Sequence, residues 1–448
     1  MVHTKTNVVI IGGGPGGITA AVGLKRRDPN MSVTIIEKQE LGGTNVSAGG
    51  VPSKTLLHLA KQLGSQQITE KPDKLLAMVR EKIDEVRSDY DELELQKLGI
   101  DVLKGESEFC GRRSLVINDT KVKYKYAVIA TGSTAKQLSI KGLNNESVMT
   151  TDDLYAAKKI PKKVLIIGTG RTGIESAQTL AMMGTHVTIV NESEKLLPYL
   201  NKEIRILLED GLSARGVRVL NTASIGRIHD GTAHIHHSSG VSKCAFDKVL
   251  FAVGRDPVLP AGLKKAHVRV RSDGIPTNLK HLTRNHRIFA IGDVASKSHF
   301  THIAADQAYD VVEYICSRRS RYMHRPAPLV PATLYTAPEV ATVGLSYKEA
   351  RLAHRKRSIT KLVVPYWKND RAKTEYATDG VLTVVVKRRT GKIIGAQVAG
   401  VNANELIASF CIAMQHGLTL PELGSTVLPY PTYHELLQAA TREFYDID

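Results

Sequence analysis

The sequence predicts an α/β protein that ends in an α+β part, and three observations carry that prediction. Apolar runs that end in glycine-rich turns occur twice, at Val8-Val9-Ile10-Ile11 and at Val164-Leu165-Ile166-Ile167. A helical stretch rich in small residues and a second β-branched run follow each of them, the alternation expected of a parallel sheet. Beyond residue 328 the pattern changes to short strands and two helices, as in an antiparallel sheet with flanking helices.

In the first unit the turn Gly12-Gly13-Gly14-Pro15-Gly16-Gly17 opens a helix over 18–26. Gly12 permits the tight turn, Gly14 lets a pyrophosphate approach the backbone, and Gly17 packs helix on strand, while the helix N-terminus offers free N–H groups to phosphate. Glu37 closes the next strand, 33–36, twenty residues after Gly17, where a carboxylate accepts hydrogen bonds from a ribose. The second unit repeats the pattern with Gly168, Gly170 and Gly173, a helix over 174–183 and a strand over 187–190 that ends in Asn191-Glu192. Two Rossmann-like dinucleotide-binding domains in one chain point to two cofactors exchanging electrons, with hydride transfer as the default chemistry.

With 448 residues and 42% apolar content, the chain has room for about two to four domains. Its formal charge of +17 raises the question of nucleic acid or anionic surfaces. The densest basic stretches, Arg318-Arg319-Ser320-Arg321 with Arg325, and Arg351 with Arg355-Lys356-Arg357, carry few aromatic residues and match no nucleic-acid-binding motif, so they read as solvated faces. No nucleic-acid partner is expected, and peripheral contact with an anionic surface stays open. Cys110, Cys244, Cys316 and Cys411 stand singly and without zinc spacing, which reads as mostly buried structural thiols in a reducing compartment and as no metal site. No apolar run approaches the roughly 20 residues of a membrane span, and the N-terminus leaves no room for a signal peptide. A cytoplasmic protein is the expectation.

Four further motifs follow the first fingerprint in order: Gly42 to Lys54, which ends Val51-Pro52-Ser53-Lys54; Ala130-Thr131-Gly132-Ser133; Ala252-Val253-Gly254-Arg255; and Phe289-Ala290-Ile291-Gly292-Asp293. Together they make the chain resemble the class I pyridine nucleotide-disulfide oxidoreductases, flavoproteins that include lipoamide dehydrogenase, glutathione reductase and mercuric reductase. The resemblance implies that the first fingerprint holds FAD, with Asp293 on its ribityl chain, Thr131 and Gly132 packed near it, and Gly43 and Thr44 beside the pyrophosphate. It implies that the second fingerprint, with Gly254 in the cofactor-binding set, holds NADH or NADPH. Lys54 would then stand beside the flavin's reactive nitrogen with Glu175 as its ion-pair partner, where a cation stabilises the reduced ring. The implied domains are residues 1–148 and 281–327 for FAD, 149–280 for NAD(P), and 328–448 for dimerisation.

The departures from that pattern cluster on one half-reaction. Asn45 and Gly50 occupy the positions of the family's two redox cysteines, and neither forms or breaks an S–S bond. Tyr430-Pro431-Thr432 stands where disulfide-reducing members carry a His-Pro-Thr motif, with Glu435 five residues on. Tyrosine, with an unperturbed pKa of about 10, shuttles protons poorly near neutrality. By resemblance the C-terminal module, with strands over 329–333, 340–343, 381–386 and 393–398 and helices over 404–416 and 433–444, makes a homodimer and lends Tyr430 and Glu435 to the partner's flavin site. A charged helical insert over 72–98 buries one stripe: Leu75, Leu76, Val79, Ile83, Val86, Tyr90 and Leu93. Two acids and no arginine in Asn191-Glu192-Ser193-Glu194-Lys195 favour NADH over NADPH.

The expected function is an FAD-dependent NAD(P)H oxidoreductase that passes electrons from reduced flavin to a small non-disulfide acceptor such as a quinone, in the space opened by the two lost sulfurs. Transhydrogenation between nicotinamides, NAD(P)H oxidation by oxygen, and a flavin-bound scaffold or redox sensor are the alternatives. Mercury reduction is not expected, because the chain ends without the cysteine pair that soft Hg requires.

Overall fold

The computed structural model describes residues 2–63, 71–237, 240–296, 298–317 and 329–446. The basic stretch from Arg318 to Arg325 lies outside the described residues, whereas Arg351, Arg355 and Arg357 are exposed. No helix among the described residues is long and apolar enough to cross a membrane.

Val8, Val9 and Ile10 are fully buried because strand Val2–Ile11 has parallel neighbours on both sides, Val33–Glu37 and Thr120–Ile129. Strand Ile100–Lys104 extends this sheet at one edge. Ile288–Ala290 pairs parallel with the end of Thr120–Ile129, so the chain returns to its first sheet after building the second. Helices Pro15–Arg27 and Thr301–Ser317 cover one face, with Ala20, Ala21 and Leu24 packed in one core with Ala308, Val311 and Val312. The first helix begins earlier than its periodicity suggests, since Pro15 fits the first turn without an N–H to lose.

The second sheet is wholly parallel, in the order Arg218–Leu220, His186–Val190, Lys163–Ile167, Lys248–Phe251, Val148–Met149. Both fingerprint turns obey one steric rule. Gly12 has φ +110° and Gly168 φ +101°, and a Cβ would stand 2.3 Å from the Ala130 carbonyl oxygen in the first case and 2.5 Å from that of Ala252 in the second. Only glycine tolerates both the left-handed backbone and that approach. A three-stranded antiparallel ribbon, Ser224–His229, Thr232–His237 and Gly240–Ala245, hangs from this unit.

The C-terminal module is a five-stranded antiparallel sheet in the order Ala332–Leu334, Glu339–Gly344, Ile393–Gly400, Val381–Lys387, Ile359–Pro365. Helices Ala403–Gln415 and Glu435–Tyr445 pack on it through Leu406, Phe410, Leu436 and Leu437, all at most 1% exposed. Strand Ile359–Pro365 has no counterpart in the sequence reading: it is an edge strand that follows a basic run and ends in proline, so its alternation is masked.

Two expectations are corrected. The insert is two helices, Pro72–Ser88 and Glu92–Lys97, because Asp91 starts a new helix by accepting from the Leu93 N–H at 3.0 Å. The phase therefore shifts: Leu93 is 61% exposed, and Leu95 is buried in its place. The cysteines are not buried thiols, since Cys110 is exposed and Cys244, Cys316 and Cys411 are partly so.

A polar seam joins the second unit to the C-terminal sheet. Asn201 is buried, donates its backbone N–H to Gln397 Oε1 (2.7 Å) and its Nδ2 to Thr383 Oγ1 (2.9 Å), and accepts from the Tyr347 N–H (3.0 Å). Gln397 Nε2 returns a bond to the Tyr199 carbonyl at 3.1 Å. Buried polar groups that lose a partner cost more than the hydrogen bond itself was worth. Asn201→Ala is therefore expected to lower stability by about 1–3 kcal/mol, read by thermal or denaturant unfolding.

Candidate active site

Segment 42–54 leaves the first sheet through Gly42 and Gly43 and forms two helices, Gly43–Ser47 and Gly50–Gln62. Gly43 lies against Gly14, where a Cβ on it would come within 2.9 Å of the Gly14 Cα. The first fingerprint and the segment that carries Lys54 thus share one wall. That wall faces a cleft of about 920 Å³, whose lining includes Gly12, Gly14, Glu37, Gly43, Thr44, Asn45, Gly50, Lys54, Thr131, Gly132, Glu175 and Asp293. No cysteine lines it among the described residues.

Lys54 and Glu175 meet across units, 121 residues apart in sequence. Nζ of Lys54 donates to Glu175 Oε2 at 2.7 Å and stands 4.1 Å over the ring of Tyr335. The other carboxylate oxygen, Oε1, accepts the Tyr335 backbone N–H at 2.9 Å. Glu175 is the more buried partner, with 14% of its side chain exposed against 34% for Lys54, so the carboxylate is fixed and the ammonium faces the cleft. Three residues on along the same helix, Arg171–Met182, Gln178 accepts from the Ala337 N–H (2.6 Å) and donates to the Ala337 carbonyl (2.9 Å). One helix face therefore holds the segment 335–337 against Lys54.

Asn45 and Gly50 are in contact. A Cβ on residue 50 would stand 2.9 Å from Asn45 Oδ1, so the carboxamide occupies the side-chain space of position 50. The amide thus takes up part of the space at position 50, within a cleft that both residues line. Thr301, at the start of helix Thr301–Ser317, donates Oγ1 to the same Oδ1 at 3.0 Å.

Glu37 accepts the Gly13 N–H at 2.6 Å and the Gln39 N–H at 2.8 Å, which fixes its carboxylate at the end of the second strand. Asp293 accepts from Ser133 Oγ at 2.6 Å, and that hydroxyl accepts in turn from Arg255 Nε at 2.6 Å. His299 Nδ1 stands 3.6 Å from the same carboxylate oxygen. Burial alone would raise the Asp293 pKa, but His299, the Ser133 hydroxyl and the Arg255 charge outweigh it and hold the carboxyl below its ordinary range. Its second oxygen, Oδ1, has no protein partner among the described residues. Gly132 lines the cleft, and no described residue beyond its chain neighbours lies within 4 Å of a Cβ position on it. A free carboxylate oxygen, a cradle of unhindered glycine backbone and a helix N-terminus fit a long dinucleotide such as FAD.

At the second fingerprint, Gly173 lies against the Gly168 carbonyl as the close helix–strand contact requires, and Gly170 is the N-cap of helix Arg171–Met182. Asn191 is turned inward: its Oδ1 accepts from Thr169 Oγ1 (2.9 Å) and the Ser193 N–H (3.1 Å), and its Nδ2 donates to Asn221 (2.7 Å). Glu192 is exposed and is the member of this pair that faces outward.

Tyr430 and Glu435 lie away from the cleft of their own chain. Tyr430 is 70% exposed and donates its hydroxyl to Asp370 Oδ2 at 3.1 Å, a bond that raises its pKa above the ordinary value. Glu435 accepts the Thr432 N–H at 3.2 Å, and Asn369 Nδ2 reaches the Thr432 carbonyl at 2.9 Å. The segments 369–372 and 430–432 therefore pack together.

Sequence reasoning missed the part of the cleft lining that Arg171, Phe300 and His302 form. Arg171 stacks 3.8 Å over the Phe300 ring, and Phe300 stacks on His302 with centroids 4.8 Å apart. Burial, with the Arg171 charge beside it, pushes the His302 imidazole below its ordinary value. The clustered aromatic and histidine residues 299–302, directly after the Asp293 motif, were the available signal.

The chain matches two family models: pyridine nucleotide-disulphide oxidoreductase over residues 6–308, and the corresponding dimerisation domain over residues 330–441, which supports a homodimer. It is 31% identical to a dihydrolipoyl dehydrogenase of Buchnera aphidicola, over 98% of this chain and 96% of that one. It is 30% identical to a mercuric reductase of Bacillus cereus, over 97% of this chain and 71% of that one. The HOCl-induced flavoprotein disulfide reductase RclA from Escherichia coli superposes with a TM-score of 0.88 at 26% identity, covering 99% of this chain and 100% of that one. The chain belongs to the pyridine nucleotide-disulphide oxidoreductase family, whose members are oxidoreductases that bind FAD and NAD(P)H.

Proposed function

We propose that this chain is an FAD-dependent NAD(P)H oxidoreductase that hands electrons directly to a small non-disulfide acceptor, a quinone by preference. One observation carries the reading: the Lys54–Glu175 ion pair is present at 2.7 Å in the same cleft where Asn45 and Gly50 take the place of a thiol pair. FAD, when bound, supplies the redox chemistry of both half-reactions. Lys54 places a positive charge toward the first half-reaction, and Glu175, braced by the Tyr335 N–H, keeps that charge from drifting. Asp293 and Glu37 hold polar cofactor groups, and the glycines of both fingerprints admit the pyrophosphates. Glu192 and Glu194, exposed at the end of strand His186–Val190 with no arginine in 191–195, support NADH as donor.

Anaerobic mixing with NADH is expected to bleach the flavin, and NADPH to do so more slowly. Mixing the reduced protein with quinones, oxygen and disulfides in parallel should give the fastest reoxidation with quinones. Dihydrolipoamide-dependent turnover, or no bleaching by either nicotinamide, would sink the reading. Lys54→Met should slow bleaching about 10–100-fold while FAD stays bound.

Asp293 gives a pH dependence of known sign. Its folded pKa lies below its ordinary 3.8, so its contribution to stability is full above that value and is lost as pH falls through the folded one. Arg255→Met removes one stabilising charge, so the variant should lose less thermal stability than the parent protein as pH falls below 3.8.

A further inference from the structure

Within the reading just proposed, we infer that Asn45 is the hydrogen-bond donor to the acceptor's carbonyl oxygen, and that Thr301 orients it for that task. The observations concern one carboxamide. Its oxygen is committed, because Oδ1 accepts from Thr301 Oγ1 at 3.0 Å and faces the bare backbone of Gly50, where a Cβ would stand 2.9 Å away. With Thr301 Oγ1 donating to Oδ1, the two N–H groups of Nδ2 form the unengaged end of the amide. Nδ2 makes no hydrogen bond to a protein group among the described residues, and Asn45 lines the cleft. Two N–H donors are thus offered to whatever enters.

The neighbourhood narrows the ligand class. Gly49 and Gly50 line the cleft beside the amide with backbone alone, and Phe300 and Thr301 line it from another element. A planar compound with an acceptor oxygen at its rim fits this wall, and a thiol or disulfide finds no sulfur to exchange with. The balanced reaction is NAD(P)H plus a proton plus quinone, giving NAD(P)+ and hydroquinone. Two electrons and one hydrogen come from the nicotinamide C–H bond, the second proton comes from solvent, and the carbonyl oxygens become hydroxyls. Negative charge grows on the oxygen facing Nδ2 during this transfer, so the amide N–H bonds strengthen as the reaction proceeds. The Thr301 donor polarises the amide in the same sense. In this role Asn45 touches substrate and Thr301 is a positioning residue.

Three variants test it. Asn45→Asp keeps the oxygen that Thr301 binds and replaces both N–H groups by an anionic oxygen. Thr301→Val keeps the shape and removes the hydroxyl, and Thr301→Ser returns it. The first readout is equilibrium binding of menadione to the oxidised, FAD-loaded protein without nicotinamide, which involves no turnover. The second is the ratio of menadione to ferricyanide reoxidation rates, ferricyanide taking single electrons and having no carbonyl to bind. Asn45→Asp should weaken menadione binding and lower the ratio about 10–100-fold, and Thr301→Val about 3–10-fold, with Thr301→Ser near wild type. A wild-type protein that menadione reoxidises, alongside Asn45→Asp and Thr301→Val variants with unchanged affinity and ratio, would overturn this assignment and leave the broader reading standing. A wild-type protein that no quinone reoxidises would overturn both.

Discussion

The Glu175 carboxylate is the point on which three parts of the chain converge. One oxygen takes the ammonium of Lys54 from the first unit, the other takes the backbone N–H of Tyr335 from the C-terminal module, and the residue itself stands on the fingerprint helix of the second unit. A largely buried carboxylate demands compensation for lost hydration, and here each oxygen receives it from a different domain. The cleft geometry therefore follows from a local electrostatic requirement. Gln178, on the same helix face, repeats the arrangement with Ala337 on both its donor and acceptor sides.

Two further seams give the assembly its rigidity. Asn201 and Gln397 bind the second unit to the C-terminal sheet through buried polar contacts. A two-stranded antiparallel pairing of Ser133–Ala135 with Arg255–Pro257 ties the first unit to the second beside Asp293. Directional contacts of this kind set register and angle, which apolar packing alone leaves loose. Cofactor-binding motifs distant in sequence are brought to one cleft by hydrogen bonds specific to single positions.

Much of this was legible in the residues. The glycine turns, Glu37, the Lys54 segment and the Asp293 motif have local causes, steric or electrostatic, that leave a mark in sequence. What escaped depends on tertiary placement. Leu93 carries the right periodicity for burial and is exposed because Asp91 restarts the helix. Asn191 stands at the strand end where a nicotinamide-cofactor contact is expected, and its side chain is engaged by Thr169 and Asn221, partners 22 and 30 residues away. Asn45 reads as a gap left by a sulfur, whereas its amide reaches into the space at position 50 and accepts from Thr301, 256 residues distant. Polar side chains with several possible partners are resolved only once the fold brings those partners near.

The cleft's composition also changes its chemical vulnerability. A thiolate beside an electron source is readily alkylated, metallated and oxidised, so enzymes built around one are poisoned by soft metals, quinone adducts and hypohalous acids. Among the described residues the lining has no sulfur for such agents to capture, and the exposed Cys110 lies outside it on the edge strand Ser107–Gly111. Electrophilic oxidants, which titrate out a dithiol centre, would find no thiol among the described residues of this cleft.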